Sequence, residues 1–437
     1  MQKSLIFVFL FAFASMMAQA DKKWASIDSL LLHLNKNNKF MGSIAIREGD
    51  KIVFAKAYGY SDIKSRRPAD VNTKYKVGSI TKTFTSVVVL QLVDEKRLAL
   101  TDKLSRFFPK IANADDITIE MLLRHRSGIH EILADPVTAQ NIGRTHTRQE
   151  IVDRITAYPS DFAPASKYEY SNSNYILLGY IIEDVTKQSF SENLQKRIVS
   201  KIGLRNTYLP EKIDFSKNEA ISGTFNGSSW EFTPEWTNTL AFAAGALAST
   251  PSDLTQFAKA LFDGKLISAP SLEKMKTLQD TYGLGLIAMP FDGKQFYGHT
   301  GGIENFRSVV GYDPISKLGV AISVSGDNYD RNNIWFGVLS LYYGKDYKFP
   351  NLMEFKVKEE ILKSYVGTYS SPDFPMKIMV STENGKLITQ ATGQSGFAVE
   401  ALSDSKFEFK PAGILLEFAP GKMNLKQSGM NIDFTKE

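Results

Sequence analysis

The chain has 437 residues, 43% of them hydrophobic and 23% charged, an ordinary balance for a soluble globular protein with room for about two or three domains. Its 52 basic and 47 acidic side chains leave a formal charge of +5 with no basic block, so nucleic-acid binding is not read from the charge. Cysteine is absent, which excludes disulfides, thiolate metal sites, a cysteine nucleophile and the acylated cysteine of a lipoprotein.

The first twenty residues read as a signal peptide. Lys3 gives the positive start, Leu5 to Met17 an apolar run of thirteen residues, and Ala18-Gln19-Ala20 a small-x-small cleavage pattern. A run of that length at about 1.5 Å per residue is too short for a bilayer. No later stretch approaches a spanning length, so the mature chain is expected to be periplasmic or secreted, without an integral membrane segment. The five histidines (His33, His125, His130, His146 and His299) show no metal-ligand pairing, and neither a metal nor another cofactor is expected.

Helical spacing runs from Trp24 to Leu34. Two strands follow, Ser43 to Ile46 and Lys51 to Ala55, joined by the turn Glu48-Gly49-Asp50. The pattern turns helical from Thr81 to Arg97, with Phe84, Val87, Val88, Leu92 and Val93 apolar. Residues 98 to 300 read mostly as helix and loop, clearest at Ile151 to Tyr158, Tyr175 to Thr186 and Ser252 to Phe262. The last is announced by the cap residue Thr250 and by Pro251. Strands return at Phe306 to Tyr312 and Leu318 to Ser325, and a helix at Ile334 to Tyr343. Early strands, a helical middle and late strands imply an α+β domain over 21–349, its sheet closed by both ends and its middle a helical insertion. From 350 to 437 short alternating runs succeed one another: Lys377 to Val380, Lys386 to Gln390, Phe407 to Lys410, Ile414 to Phe418 and Met423 to Lys426. The Asn384-Gly385 pair signals a hairpin, so the tail is expected to form a separate small antiparallel β-barrel.

Three short motifs carry chemistry. Ser79-Ile80-Thr81-Lys82 sets a hydroxyl and an amine at i and i+3, one face of a helix. A buried amine can take the serine's proton once desolvation lowers its pKa, and the N–H at a helix start can face an oxyanion. Tyr170-Ser171-Asn172 is expected on a loop. Its phenol beside a cationic amine would have a depressed pKa, and its amide could hold a substrate carbonyl. His299-Thr300-Gly301-Gly302 offers glycines for close backbone approach and a strand edge for a peptide-like substrate. Singly each motif is weak. A G-x-S-x-G elbow is absent, and a Ser-His-Asp reading through His125 or His130 is a minor alternative.

Taken together, the order and spacing of these motifs resemble the serine β-lactamase and DD-peptidase superfamily, in its class C-like branch. Residues Ile119 to Ile129 and Gly245 to Leu254 are similar to two further segments of that family, and the resemblance covers about 25–345. It implies an α/β sandwich, an antiparallel sheet flanked by helices, with a lipocalin-like tail. It also implies Ser79 as the acylated nucleophile, Lys82 as its activator and the partner of Tyr170, and Tyr170 as the proton relay. Asn172 would position the substrate amide, His299 and Thr300 would line the far wall, and Gly301 and Gly302 would supply backbone, the Gly302 N–H joining that of Ser79 in an oxyanion hole. The implied substrate is a small-molecule or peptide acyl compound, a peptidoglycan stem peptide among them. The activity expected is DD-carboxypeptidase, D-amino-acid peptidase or esterase. The alternatives are a class C-like β-lactamase and a non-catalytic penicillin- or peptidoglycan-binding envelope protein. A histidine at 299, where a fixed cation normally binds a substrate carboxylate, is only partly protonated near neutral pH, which weakens the β-lactam reading. Nothing in the sequence sets the oligomeric state or the role of the tail.

Overall fold

The computed structural model describes residues 22–437 except 227–228, 327, 353–354, 384, 394–395, 410–411 and 428. The leader read over 1–20, and Asn384 and Lys410 of the tail, lie outside the described residues. The chain divides after Phe349 into two compact units.

The first unit is built on a six-stranded antiparallel sheet. Its strands are β1 (Gly42–Glu48), β2 (Lys51–Tyr58), β3 (Ile287–Phe291), β4 (Lys294–Ile303), β5 (Phe306–Asp313) and β6 (Leu318–Val324), in the order β2-β1-β6-β5-β4-β3. β1 pairs with β6 from Gly42↔Val324 to Glu48↔Leu318, so the two ends of the unit meet in the middle of the sheet. Both strands are buried almost throughout, which requires cover on both faces.

Helices supply that cover. They are α1 (residues 22–36), α2 (Thr81–Asp94), α3 (Asn172–Thr186), α4 (Asn238–Gly245), α5 (Pro251–Phe262) and α6 (Arg331–Tyr342). On β5, the Gly311 Cα faces the Trp335 ring of α6, while its neighbour Tyr312 stacks on Phe262 of α5. Adjacent strand residues point to opposite faces, so α5 and α6 lie on opposite sides of the sheet. α1 joins the α6 side, with Trp24 stacked on Phe54 of β2.

Between β2 and β3 runs the helical insertion, and α2 is its axis. Every residue of α2 from Thr81 to Leu92 is buried, so it is a helix covered all round rather than an amphipathic one. Two of its threonines bond to neighbouring backbone: Thr83 Oγ1 donates to Gly285 O and Thr85 Oγ1 to Ala243 O.

Two differences from the sequence reading bear on the site. β3 and β4 lie in a stretch read as helix and loop. β4 carries Gly298, Gly301 and Gly302, which depress strand propensity, and β3 carries Pro290, tolerated because β3 is an edge strand. The helix read to Arg97 ends at Asp94, where Lys96 turns into the left-handed region at φ 58°.

The second unit is a closed barrel of eight sequentially neighbouring strands, from Gly367–Ser371 to Met430–Lys436, closed by the pairs Tyr369↔Lys436 and Ser370↔Thr435. Its interior is filled by its own apolar side chains, among them Tyr369, Phe407, Phe418 and Phe434.

Phe84 of α2 is fully buried and stacks on Phe257 of α5, with ring centroids 3.6 Å apart. This contact seats the helix that carries Lys82. Phe84→Ala is expected to lower the unfolding free energy by about 3–5 kcal/mol in a chemical denaturation of the purified chain.

Candidate active site

Ser79 lies in the 3-10 turn Gly78–Ile80, which runs straight into α2. Gly78 takes φ 54°, a conformation that favours glycine. One turn later, the buried Lys82 points its amine back along the helix. Lys82 Nζ lies 2.9 Å from Ser79 Oγ, 2.6 Å from Asn172 Oδ1 and 2.8 Å from Ala244 O. Burial pulls its pKa down to about 7, and the Glu131 charge pushes back only in part. Two of its three neighbours are carbonyl oxygens, which only accept. In the neutral amine, therefore, both N–H groups go to Asn172 and Ala244, and the lone pair faces the Ser79 hydroxyl.

Each carbonyl is held by a specific device. Asn172 begins α3 and is not on a loop as read from the sequence. Its Nδ2 donates to Glu131 Oε2 at 2.8 Å and its backbone N–H donates to the same oxygen, so the amide can turn only its Oδ1 toward Lys82. Ala244 lies just past a break in α4, where Phe242 has φ 35° and ψ −129°. The break leaves the carbonyls of Ala243 and Ala244 to accept from Thr85 and Lys82. The strained Phe242 is held by packing, its ring stacked on Tyr180 at 5.0 Å.

Tyr170 completes this side. Its hydroxyl lies close to Ser79, and its ring centroid is 4.8 Å from Lys82 Nζ. Burial raises the phenol well above its ordinary pKa of 10.0, opposite to the depression read from the sequence. The reason is that the same burial discharges the lysine near neutral pH and removes the fixed cation that a phenolate would need. His125 stacks on the Tyr170 ring at 4.1 Å, and its Nδ1 accepts the Ser171 N–H. Burial holds His125 well below the ordinary histidine range. His130 sits between Asp161 and Asp135, each at 3.0 Å. Among the described residues neither imidazole bonds to Ser79, and no Ser-His-Asp triad forms.

The opposite side is backbone. β3 pairs with β4 only as far as Gly298↔Ile287, so beyond Gly298 that edge of β4 has no partner strand. It packs instead on the Ser79 turn. A Cβ on Gly301 would stand 1.9 Å from Val77 O, and one on Gly78 would stand 2.6 Å from Gly302 N. Two glycines thus let the exposed Gly302 reach the Gly78–Ser79 turn.

His299 departs from the sequence reading. It is buried, its Nδ1 donates to Thr300 O, and its Nε2 accepts the Tyr282 hydroxyl at 2.8 Å. Burial pulls its pKa to about 3, so it is neutral rather than partly charged and offers no cation. The structure brings Ser79, Lys82, Tyr170, Asn172 and the backbone of Gly301 and Gly302 together. Thr300 is half-buried beside them, and the His299 side chain is turned to Tyr282. Glu131 and Tyr282 were not found from sequence. Glu131 meets Asn172 across 41 residues and Tyr282 meets His299 across 17, so no local pattern announces either.

The beta-lactamase family model matches residues 28–339. The chain belongs to the beta-lactamase family. It is a serine hydrolase of that fold. A penicillin-binding protein of Bacillus subtilis (strain 168) is 24% identical, over 91% of this chain and 94% of its own length. A teichoic acid D-alanine hydrolase of Staphylococcus aureus is 27% identical over 71% of this chain and 76% of its own. Among solved structures, the D-amino acid amidase of Ochrobactrum anthropi SV3 superposes with a TM-score of 0.65 at 25% identity, covering 73% of this chain and 98% of that one. Among the described residues of this family member, no helix is long and apolar enough to cross a membrane.

The Gly301 contact gives a direct test. Gly301→Ala must push β4 off Val77 O, which displaces Gly302. Its kcat is expected to fall by about 100-fold or more, measured on any ester that the wild-type chain turns over.

Proposed function

We propose that this family member hydrolyses amides or esters of D-amino acids through an acyl-enzyme on Ser79. The observation that carries the reading is the Lys82 amine, buried, lowered to about pH 7 and held by two carbonyls with its remaining position on Ser79 Oγ. The neutral amine accepts the Ser79 proton while Oγ bonds to the substrate carbonyl carbon. The N–H groups of Ser79 and Gly302 receive the oxyanion. Tyr170, protonated at neutral pH, passes its proton to the leaving amine or alkoxide as the C–N or C–O bond breaks and takes the Lys82 proton in its place, so both groups return to their starting states. Water then attacks the acyl carbonyl, giving a proton to the neutral Lys82 amine, and as the C–Oγ bond breaks that proton returns to Ser79 and the free acid leaves.

Two features favour a substrate with a free α-ammonium. The Glu131 carboxylate stands against Asn172, the residue proposed to position the acyl group. His299, being neutral, gives no charge to a substrate carboxylate. Two relatives are named for D-amino-acid substrates, the amidase and the teichoic acid D-alanine hydrolase. A second reading, DD-carboxypeptidase, draws on Arg331, whose guanidinium donates to Gly301 O at 3.1 Å and places a cation beside β4. We also propose export to the periplasm or medium, on the signal-peptide pattern of residues 1–20.

Ser79→Ala is expected to abolish turnover and the mass adduct left by a serine-directed phosphonate. In the wild type, kcat/KM should fall about tenfold per pH unit below about 7, because a protonated Lys82 cannot accept the serine proton. A flat profile from pH 5 to 8 would exclude Lys82 as the base.

The substrate reading is tested by comparing D-alanine p-nitroanilide with its N-acetyl form and with a D-alanyl-D-alanine peptide. The free amine is expected to win by about tenfold, and Glu131→Gln to erase most of that margin. A faster D-alanyl-D-alanine peptide would favour the carboxypeptidase reading.

A further inference from the structure

The two segments that flank the Ser79 turn are tied by a buried ion pair. Lys76 stands three residues before Ser79, on the short strand Tyr75–Lys76, and Glu304 stands two residues after Gly302. Lys76 Nζ lies 2.8 Å from Glu304 Oε1, 2.9 Å from Glu235 Oε1 and 3.0 Å from Trp236 O. Glu304 Oε1 also accepts the Trp236 N–H at 2.9 Å, and its Oε2 accepts the Ser222 hydroxyl at 3.2 Å. The Lys76 side chain is 6% exposed and that of Glu304 0%.

Three observations give this pair a geometric use. Glu304 sits at φ 53° in the turn between β4 and β5, so its backbone conformation is imposed on it by its contacts. The residues between the pair and the reaction centre touch backbone to backbone, Val77 against Gly301 and Gly78 against Gly302. Finally, a buried ion pair is a poor source of net stability, because desolvation offsets its attraction. What the pair supplies is registration of two backbone segments that are far apart in sequence.

We infer that Lys76 and Glu304 are positioning residues for the oxyanion hole, setting the distance between the Ser79 and Gly302 amides. The inference rests on the acyl-enzyme reading above. An oxyanion contact is made in the transition state and not with bound substrate, so misplacing one amide lowers kcat and leaves KM.

The test uses Glu304→Ala and Lys76→Met in the full-length chain, with rates normalised to sites titrated by a fluorophosphonate so that unfolded protein does not count. Each variant is run on an ester and on its thionoester, whose sulfur fits an oxyanion hole poorly. The expected result is a kcat on the ester reduced about 10- to 100-fold, KM within about threefold, and a smaller ester-to-thionoester ratio than wild type. A lowered melting temperature with wild-type kcat per titrated site and an unchanged ratio would mean that the pair is only structural, and would overturn the inference. Should neither variant fold, Glu304→Asp keeps the charge but draws the carboxylate back by one methylene. It is expected to show the same loss confined to kcat, and a folded Glu304→Asp with wild-type kcat and ratio overturns the inference as well. Ser79→Ala run in parallel separates the two levels: activity there sinks the acyl-enzyme reading. An inert Ser79→Ala beside unaffected Glu304 variants sinks only the positioning role.

Discussion

The site depends on one buried amine. An ammonium taken out of water without a paired carboxylate is costly, and the group responds by giving up its proton near neutral pH. Among the described residues Lys82 has no direct ion-pair partner. Its neighbours are a hydroxyl and two carbonyls, and the nearest carboxylate that it feels, Glu131, acts from behind Asn172. The surrounding structure can be understood as the means of keeping that amine dry and aimed. α2 is covered on all sides, and Asn172 is locked at the head of α3 so that it presents oxygen and not nitrogen. α4 is broken at Phe242, against backbone preference, so that Ala244 can offer its carbonyl.

A second constraint is closeness of backbone. The Ser79 turn and the free edge of β4 approach to distances that a single methyl group would prevent, at Gly78 on one side and Gly301 on the other. Side chains therefore cannot build this half of the site. The donors proposed for it are main-chain amides, and their placement follows from sheet register and from the end of the β3–β4 pairing at Gly298.

Much of this was legible in the sequence, for local reasons. Ser79 and Lys82 are one helical turn apart, so spacing alone carries part of the geometry, whereas the helix start at Asn172 was read as a loop. The paired ends of the sheet were readable because β1, β5 and β6 carry β-branched and aromatic residues such as Ile44, Ile46, Val309, Val310 and Ile322 between clear turn signals. β4 was missed because the glycines that let it reach the Ser79 turn also remove its strand signal. In the tail five alternating runs were read where eight strands close the barrel. The protonation states were not legible at all. A sequence cannot say that His299 will face Tyr282 in a sealed layer, or that Tyr170 will lie with its ring on His125, since both follow from contacts between distant segments.

Those protonation states share one cause, and that gives the site its division of labour. The same exclusion of water lowers Lys82 to about 7, raises Tyr170 well above 10 and lowers His299 to about 3. In water a lysine would be an acid at neutral pH and a histidine a usable base. In the proposed reaction, these buried groups divide the work: the lysine is the base, the tyrosine is the proton donor and the neutral histidine takes no part. Groups whose pKa values are driven apart by a common environment can serve as acid and base in one reaction without exchanging roles. In the proposed reaction, a single dry layer beside the serine thus sets which group gives the proton and which takes it.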